Sequence, residues 1–355
     1  MRSNKVARDM LAAFYKEKGK PFVVEESEVP KIGPDEVLVE IKAAGICGTD
    51  VHYWKGEFTP ASIPLIIGHE GAGIVREVGE NVKNLKINDH VIIHYVISCG
   101  VCKNCVEGND NRCRNRKSVG HDVNGTFAQF IKVPYRSAVK ISQSVPLEWG
   151  AIIGCAVSTA YHAVRVSNFE PGDTVIVFGV GGVGLHAVMW AKFFGAGKVI
   201  AVDPIESKLE KAKRYGADIT LNPLKDNVLE IVNKETEGFG VDVAIECSGS
   251  SQAMIQAIKT IKGSNQFESG KLISVGLQTK PFQFEYWGLR EGWATVSGDH
   301  TLSELHQIVK LVENGRINLT ESITHRISLR DIGKGIELVE SKEEHVERVV
   351  INKFT

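Results

Sequence analysis

Thr174-Val175-Ile176-Val177-Phe178-Gly179-Val180-Gly181-Gly182-Val183-Gly184 decides the fold of half of this chain. An apolar run ends in Gly-x-Gly-x-x-Gly, a helical pattern continues to Phe194, and Asp203 stands 19 residues beyond Gly184. Strand, glycine turn, helix and acid in that order are the context a dinucleotide fingerprint requires. Gly179, Gly181, Gly182 and Gly184 let the backbone approach a pyrophosphate, whose charge sits against the helix N-terminus. Asp203, at the end of the next strand, is placed to accept both ribose hydroxyls of the adenosine half. It repels a 2′-phosphate, so NAD is favoured over NADP. The plainer alternative is a tight strand-helix turn with a capping aspartate before Pro204; turn, helix and acid falling together argue against it.

Outward from this stretch, strand-like runs recur at 198–202, 219–221, 241–246, 271–275 and 294–296, with helical patterns at 206–215, 227–236 and 251–261. Alternating buried strands and helices predict a parallel sheet covered on both faces, here a doubly wound α/β sheet. The expected dinucleotide-binding domain is 156–296. From Ser297 the chain is expected to return to the first domain, because Val349-Val350-Ile351 reads as a strand that needs a sheet to join.

The first part reads differently. Residues 21–45 alternate and turn like β structure, and Val37-Leu38-Val39-Glu40-Ile41 follows the turn signal Gly33-Pro34-Asp35-Glu36. Short strands are predicted at 73–78, 90–93 and 127–133, and no long helical period occurs before Pro146. A chain of 355 residues fits two domains, so 1–155 with 297–355 forms the other. Hydrophobic residues make up 43% and charged residues 24%, with 42 basic against 43 acidic side chains. That balance points to neither nucleic acid nor an anionic membrane as a partner. No apolar run reaches the length of a membrane span, and Met1-Arg2-Ser3-Asn4-Lys5 has no apolar signal core behind it, so a cytoplasmic location is expected.

The strand-rich part carries two cysteine patterns. In Cys99-x2-Cys102-x2-Cys105-x7-Cys113 the intervening residues are largely polar or glycine, so the loop at 99–113 needs something to tie it. Four thiolates closing the sphere of one zinc would do so, leaving no open position and hence a structural site. The second pattern is Cys47-Gly48-Thr49-Asp50-Val51-His52, then Gly68-His69-Glu70-Gly71-Ala72-Gly73, then Gly154-Cys155-Ala156. Cys47, His69 and Cys155 offer two sulfurs and one nitrogen; a tetrahedral zinc so bound keeps one position for a ligand to be transformed. Three unrelated buried residues are the bland reading, and for either cysteine alone it would be preferred. Cys247, the seventh cysteine, reads as a small buried apolar residue.

In this order the two cysteine patterns and the fingerprint resemble the zinc-dependent alcohol dehydrogenases of the medium-chain dehydrogenase/reductase family, over about 31–354. Two cysteines and one histidine are the catalytic ligand set known for alcohol dehydrogenase. The resemblance implies a GroES-like catalytic domain beside a Rossmann domain, and two zinc ions per chain, one catalytic and one structural. By the same resemblance Glu70 is an acid near the metal that ligates it transiently in some members. Asp50 is the acid hydrogen-bonded to His69. Thr49 and His52 form a proton relay with the cofactor ribose between them. Thr159, Val183 and the Val275-Gly276-Leu277 backbone line the nicotinamide, Lys208 meets the adenosine ribose and Arg348 the pyrophosphate. A homotetramer is implied by the family's microbial members.

The implied reaction is reversible hydride transfer between a small alcohol and NAD, giving an aldehyde or ketone. Trp54, Phe58, Tyr95, Leu277 and Val296 fall at the family's pocket positions and are all apolar or aromatic, which favours medium-chain or aromatic alcohols; for Trp54 plain core packing is as good a reading. Polyol, sugar and threonine dehydrogenases of the family share Cys47-Gly48-Thr49-Asp50-x-His52 but usually carry glutamate at the position of Cys155, which tilts the reading to alcohols. A non-catalytic zinc and nucleotide binder is the alternative of another class. It would be expected to have lost Cys47, His69 or the relay, all present here.

Overall fold

The computed structural model of the chain describes residues 8–262, 270–278, 281, 283, 293–341 and 346–355. The N-terminal Met1-Arg2-Ser3-Asn4-Lys5 lies outside these. The chain divides into two units, Met1–Ser158 with His300–Thr355, and Thr159–Asp299.

The first unit is built on strands: β1 (Asp9–Tyr15), β2 (Val23–Glu28), β3 (Glu36–Ile46), then helix α1 (Gly48–Trp54), β4 (Leu65–Ile66), β5 (Glu70–Val78), β6 (His90–Ile93) and β7 (Val96–Ile97). Helix α2 (Lys103–Val106), β8 (Lys117–Ser118), β9 (Phe130–Pro134), β10 (Ala138–Ile141) and α3 (Leu147–Ile152) follow. A π-helical turn, Ile153–Val157, leads into α4 (Ser158–Ser167). The strand expected at 127–133 begins at Phe130 instead. Helix α1 had no periodic signal because it is seven residues long; at that length the closing of its first turn decides, not an apolar stripe.

The second unit continues with β11 (Thr174–Phe178), α5 (Gly184–Phe193), β12 (Lys198–Val202), α6 (Glu206–Arg214), β13 (Ile219–Leu221), α7 (Val228–Glu235), β14 (Val243–Glu246), α8 (Ser251–Thr260), β15 (Lys271–Ser274) and β16 (Trp293–Val296). Its strands form one six-stranded sheet in the order β13-β12-β11-β14-β15-β16, every pair parallel. That is the doubly wound order in which the chain direction across the sheet reverses at the first strand, and ligands bind beyond the strand ends at that reversal. The fingerprint glycines follow β11 directly. Ile176, Phe178, Ile200, Val202, Val232 and Ile258 pack into the core on this sheet; each such side chain contributes about 1.5–3 kcal/mol by leaving water.

The chain then returns to the first unit as α9 (Leu302–Glu313), β17 (Ile323–Ser328), α10 (Ile332–Ser341) and β18 (Arg348–Lys353). The main sheet there runs β10-β6-β5-β3-β18-β17, with β9 also on β3. Strand β3 serves both: its first half, Glu36–Glu40, pairs with β9, and Ala44, Gly45 and Ile46 pair with β18. Its opposite edge runs along β5, ending in the pair Gly45↔Glu70. This register brings the end of β3, the start of β5 and the start of β18 side by side, and Cys47, His69, Glu70 and Arg348 occupy those ends. No helix among the described residues is long and apolar enough to cross a membrane.

Candidate metal centres and cofactor site

Cys47 leaves β3 and starts α1, where its N–H donates to Asp50 Oδ2 at 2.8 Å. His69 precedes β5, and Cys155 lies in the π-helical turn, a distortion that often marks functional positions. Cys47, His69, Glu70 and Cys155 each bring one ligand atom within 4.8 Å of the others. Asp50 Oδ1 lies 3.7 Å from His69 Nδ1, an ion-pair separation longer than the hydrogen bond expected, and the His69 ring also hydrogen-bonds Cys47. Thr49 Oγ1 is 3.9 Å from the Cys47 sulfur.

The electrostatics of this group suit a cation. A hydrogen bond with Cys155 holds the Cys47 thiol well below its ordinary range, against burial and with help from His69, while the same bond and burial push Cys155 well up. A metal ion would need both sulfurs as thiolates. Burial pushes Asp50 up to about 7 against the pull of His69. Burial disfavours the charged His69 ring, but Asp50 and Cys47 outweigh it and push the imidazole up to about 10. Arg348 donates through Nη2 to Glu70 Oε2, and both side chains are buried. Glu70 Oε1 is buried without a hydrogen-bond partner. Two thiols, an imidazole and an orphaned carboxylate oxygen within ligand reach fit zinc.

The second group is Cys99, Cys102, Cys105 and Cys113. Sulfur separations are 3.5 Å for Cys102–Cys105 and Cys99–Cys113, and 4.0 Å for Cys99–Cys105 and Cys102–Cys113. A tetrahedron with zinc–sulfur bonds of about 2.3 Å has edges of about 3.8 Å, so the four sulfurs already stand at ligand spacing. Backbone N–H groups of Arg114 and Cys105 hold the Cys102 thiol down to about 6. Between Cys105 and Cys113, Asp110 accepts from the Leu302 N–H at 3.0 Å and meets His94 Nε2 at 3.3 Å. His94 Nδ1 in turn lies 3.1 Å from His300 Nε2.

In the second unit, helix α5 starts at Gly184, where a Cβ would meet the Gly179 carbonyl oxygen at 1.9 Å; the third glycine is needed for the helix to close on the turn. At Gly181 the nearest atom to such a Cβ is Lys208 Nζ, at 4.0 Å. Asp203 is buried, and its carboxylate accepts from the Val180 N–H at 3.0 Å and the Ile205 N–H at 2.9 Å. It therefore organises the glycine turn and retains acceptor capacity on both oxygens. Thr159 opens this unit within α4, and Val183 directly precedes α5. Val275 donates its N–H to the Glu246 carbonyl at 2.7 Å, and Leu277 is 46% exposed.

The profile of the Alcohol dehydrogenase GroES-like domain matches residues 33–143, and that of Zinc-binding dehydrogenase matches 182–312. An alcohol dehydrogenase of Geobacillus stearothermophilus is 34% identical over 327 residues, covering 91% of this chain and 95% of that protein. The chain belongs to the zinc-dependent alcohol dehydrogenases of the medium-chain dehydrogenase/reductase family. An L-threonine 3-dehydrogenase of Caldanaerobacter subterraneus subsp. tengcongensis is 35% identical, covering 88% of this chain and 91% of that protein. Among solved structures, the alcohol dehydrogenase TADH from Thermus sp. ATN1 matches with a TM-score of 0.87 at 28% identity, covering 97% and 100% of the two chains. This dehydrogenase is thus a zinc-dependent oxidoreductase with a GroES-like and a Rossmann domain.

Of the side chains anticipated as pocket walls, Tyr95 is buried with its ring edge-on to His69 at 5.4 Å. Phe58 lies on His52 at 4.9 Å. Trp54 packs edge-on against Phe22 at 5.0 Å and joins the core of the first unit. Val296 is 74% exposed on β16. Sequence reasoning missed Glu57, whose carboxylate pairs with His52 Nδ1. It also missed Glu246, a fully buried carboxylate that accepts from the Ser248 N–H at 2.7 Å and the Gly249 N–H at 3.1 Å. An acid closing the apolar run Val243-Ala244-Ile245 was the available signal for the second; the first had only the turn residue Gly56.

Proposed function

We propose that the protein oxidises medium-chain or aromatic alcohols reversibly to aldehydes or ketones with NAD, using one zinc at Cys47, His69 and Cys155 and a second at Cys99, Cys102, Cys105 and Cys113. The observation that carries this reading is the Thr49 hydroxyl 3.9 Å from the Cys47 sulfur, at the edge of a cluster of two buried cysteines and the partly buried His69.

When bound, zinc supplies a Lewis acid toward the alcohol oxygen and NAD supplies the hydride acceptor. The chain does the rest. Asp50 holds the His69 ring by its Nδ1 side. Arg348 restrains Glu70 and balances its charge. Thr49 accepts the alcohol proton on its hydroxyl oxygen as it gives up its own. His52, three residues on and on the same face of α1, hands a proton to water. Tyr95 presents an aromatic wall next to His69. The Asp203 carboxylate favours NAD, and Lys208, with its ammonium near Gly181, serves the adenosine ribose; the backbone at Val183, Val275 and Leu277, with Thr159, lines the nicotinamide.

A threonine or polyol dehydrogenase is the second reading, supported by the threonine dehydrogenase relative and by Gly48-Thr49. The aromatic faces of Tyr95 and Phe58 favour the first, because a substrate hydroxyl buried against a ring face without a partner costs about 1–3 kcal/mol. The test is NADH formation with hexanol, benzyl alcohol and a secondary alcohol against sorbitol, glucose and threonine. Threonine or a polyol ahead by roughly tenfold in kcat/KM, about 1.4 kcal/mol in the transition state, would replace the first reading by the second. No NADH with any of them would reject both. Thr49→Val should lose most turnover; near-normal turnover would mean the proton leaves by another path. A cytoplasmic homotetramer is proposed as the working form, and sedimentation showing only monomer would reject the tetramer.

A further inference from the structure

Helix α1 ends with the Lys55 N–H on the Val51 carbonyl at 2.9 Å and the Gly56 N–H on the Tyr53 carbonyl at 2.9 Å. Gly56 then takes φ +70°, where a side chain would be strained, and the chain doubles back. The N–H groups of Glu57 and Phe58 both donate to the His52 carbonyl, at 2.9 and 3.2 Å. The turn delivers two side chains to one imidazole: the Phe58 ring lies on its face, 4.9 Å away and tilted by 31°, and the Glu57 carboxylate pairs with Nδ1. Lys55, the nearest cation in sequence, pairs with Glu340 at 2.7 Å.

We propose that Glu57 is a positioning residue that fixes His52 as its Nδ1–H tautomer and so leaves the Nε2 lone pair as the atom that takes the proton. The inference rests on the relay reading of His52 given above. A neutral imidazole has one N–H, and an ionised carboxylate only accepts. Nδ1 facing Glu57 must therefore carry the hydrogen, because the other tautomer sets a lone pair against a carboxylate. The relay needs a base at the other nitrogen. When a proton arrives, an N–H bond forms at Nε2 and a cation appears beside Glu57. The same proton then passes to water, the Nδ1–H bond stays intact and no electrons are transferred. Phe58 packs on one face of the ring, beside the Glu57 contact at Nδ1.

The experiment has two parts. In zinc-loaded protein without cofactor, selective nitrogen-15 labelling of histidine should show His52 as Nδ1–H, its signal assigned by its loss in His52→Gln. In Glu57→Ala the tautomer should shift toward Nε2–H. Finding Nε2–H in the unchanged protein would overturn the proposal. In turnover, Glu57→Ala should lower kcat for alcohol oxidation roughly tenfold, a part of the ~10²–10⁴ that proton-transfer groups supply, with KM little changed. Glu57→Gln, whose amide oxygen still accepts from Nδ1–H, should recover much of that loss. If His52→Gln slows turnover and Glu57→Ala does not, the Glu57 inference fails and the relay stands. If His52→Gln has no effect, the relay reading itself fails and takes this inference with it.

Discussion

Arg348 and Glu70, 278 positions apart, form a buried ion pair at the edge of the Cys47–His69–Cys155 cluster. Removing the cation alone strands a carboxylate in the interior, which costs about 3–5 kcal/mol. Arg348→Met should therefore be strongly destabilising in denaturant unfolding. The double variant Arg348→Met with Glu70→Gln should recover a large part, since no unpaired charge remains. Equal loss in the single and double variants would show that the pair matters for its packing and not for its charge.

The two cysteine groups should fail differently. Cys113→Ser should drop bound zinc from about two ions per chain to about one and lower thermal stability, because the 99–113 loop loses its closure. Cys47→Ser should abolish turnover while the melting transition stays cooperative. Metal analysis beside a thermal scan reads both. Full zinc and full stability in Cys113→Ser would remove the structural assignment.

Asp203 holds the glycine turn by two backbone N–H groups and is the proposed ribose acceptor. Asp203→Ala should cut kcat/KM with NAD by roughly tenfold or more, about 1.4 kcal/mol, and narrow the preference over NADP. Equal efficiency with both cofactors in the unchanged protein would contradict the assignment.

Glu148 ties α3 to the last two strands, meeting Arg326 at 2.7 Å and accepting from Asn352 at 2.9 Å. Burial works to raise its carboxyl, but Arg326 and Asn352 prevail and hold it below the usual range. A lowered folded-state value stabilises fully above the unfolded value of about 4.3 and is lost as pH falls through the folded one. Glu148→Gln should therefore cost up to about 1 kcal/mol at neutral pH, as befits a partly exposed pair, and the gap to the unchanged protein should close below about pH 4. A gap independent of pH would mean the charge contributes nothing.

The parts legible in the sequence share one property: their signal is local. Gly179 to Gly184 and the four cysteines at 99–113 announce themselves within short stretches, and Cys47 and His69 sit in short motifs of their own. What stayed hidden depends on pairing at a distance. Arg348, assigned by resemblance to the pyrophosphate, has a buried partner in Glu70 that nothing near it in sequence names. In the Asp110–His94–His300 chain, the two histidines stand 206 positions apart. For Trp54 pocket wall and core packing are equal readings of the sequence, and only the fold shows Phe22 against its ring. The strand β18 was foreseen, but not that it would share one edge of β3 with β9.

That shared edge bears on the order in which the chain is made. Strands β3 and β5 are synthesised early, yet the neighbour of Ala44, Gly45 and Ile46 is β18, the last strand described. Every residue of the second unit leaves the ribosome before it, so the six-stranded sheet can close while the first-made unit still waits. Until β18 arrives, β3 presents unpaired backbone groups at its far end, a template for a stray strand, and Glu70 has no guanidinium. A nascent chain halted before Arg348 should be held by chaperones or lost to proteases, with its dinucleotide domain already folded and the surroundings of Glu70 the final piece to set.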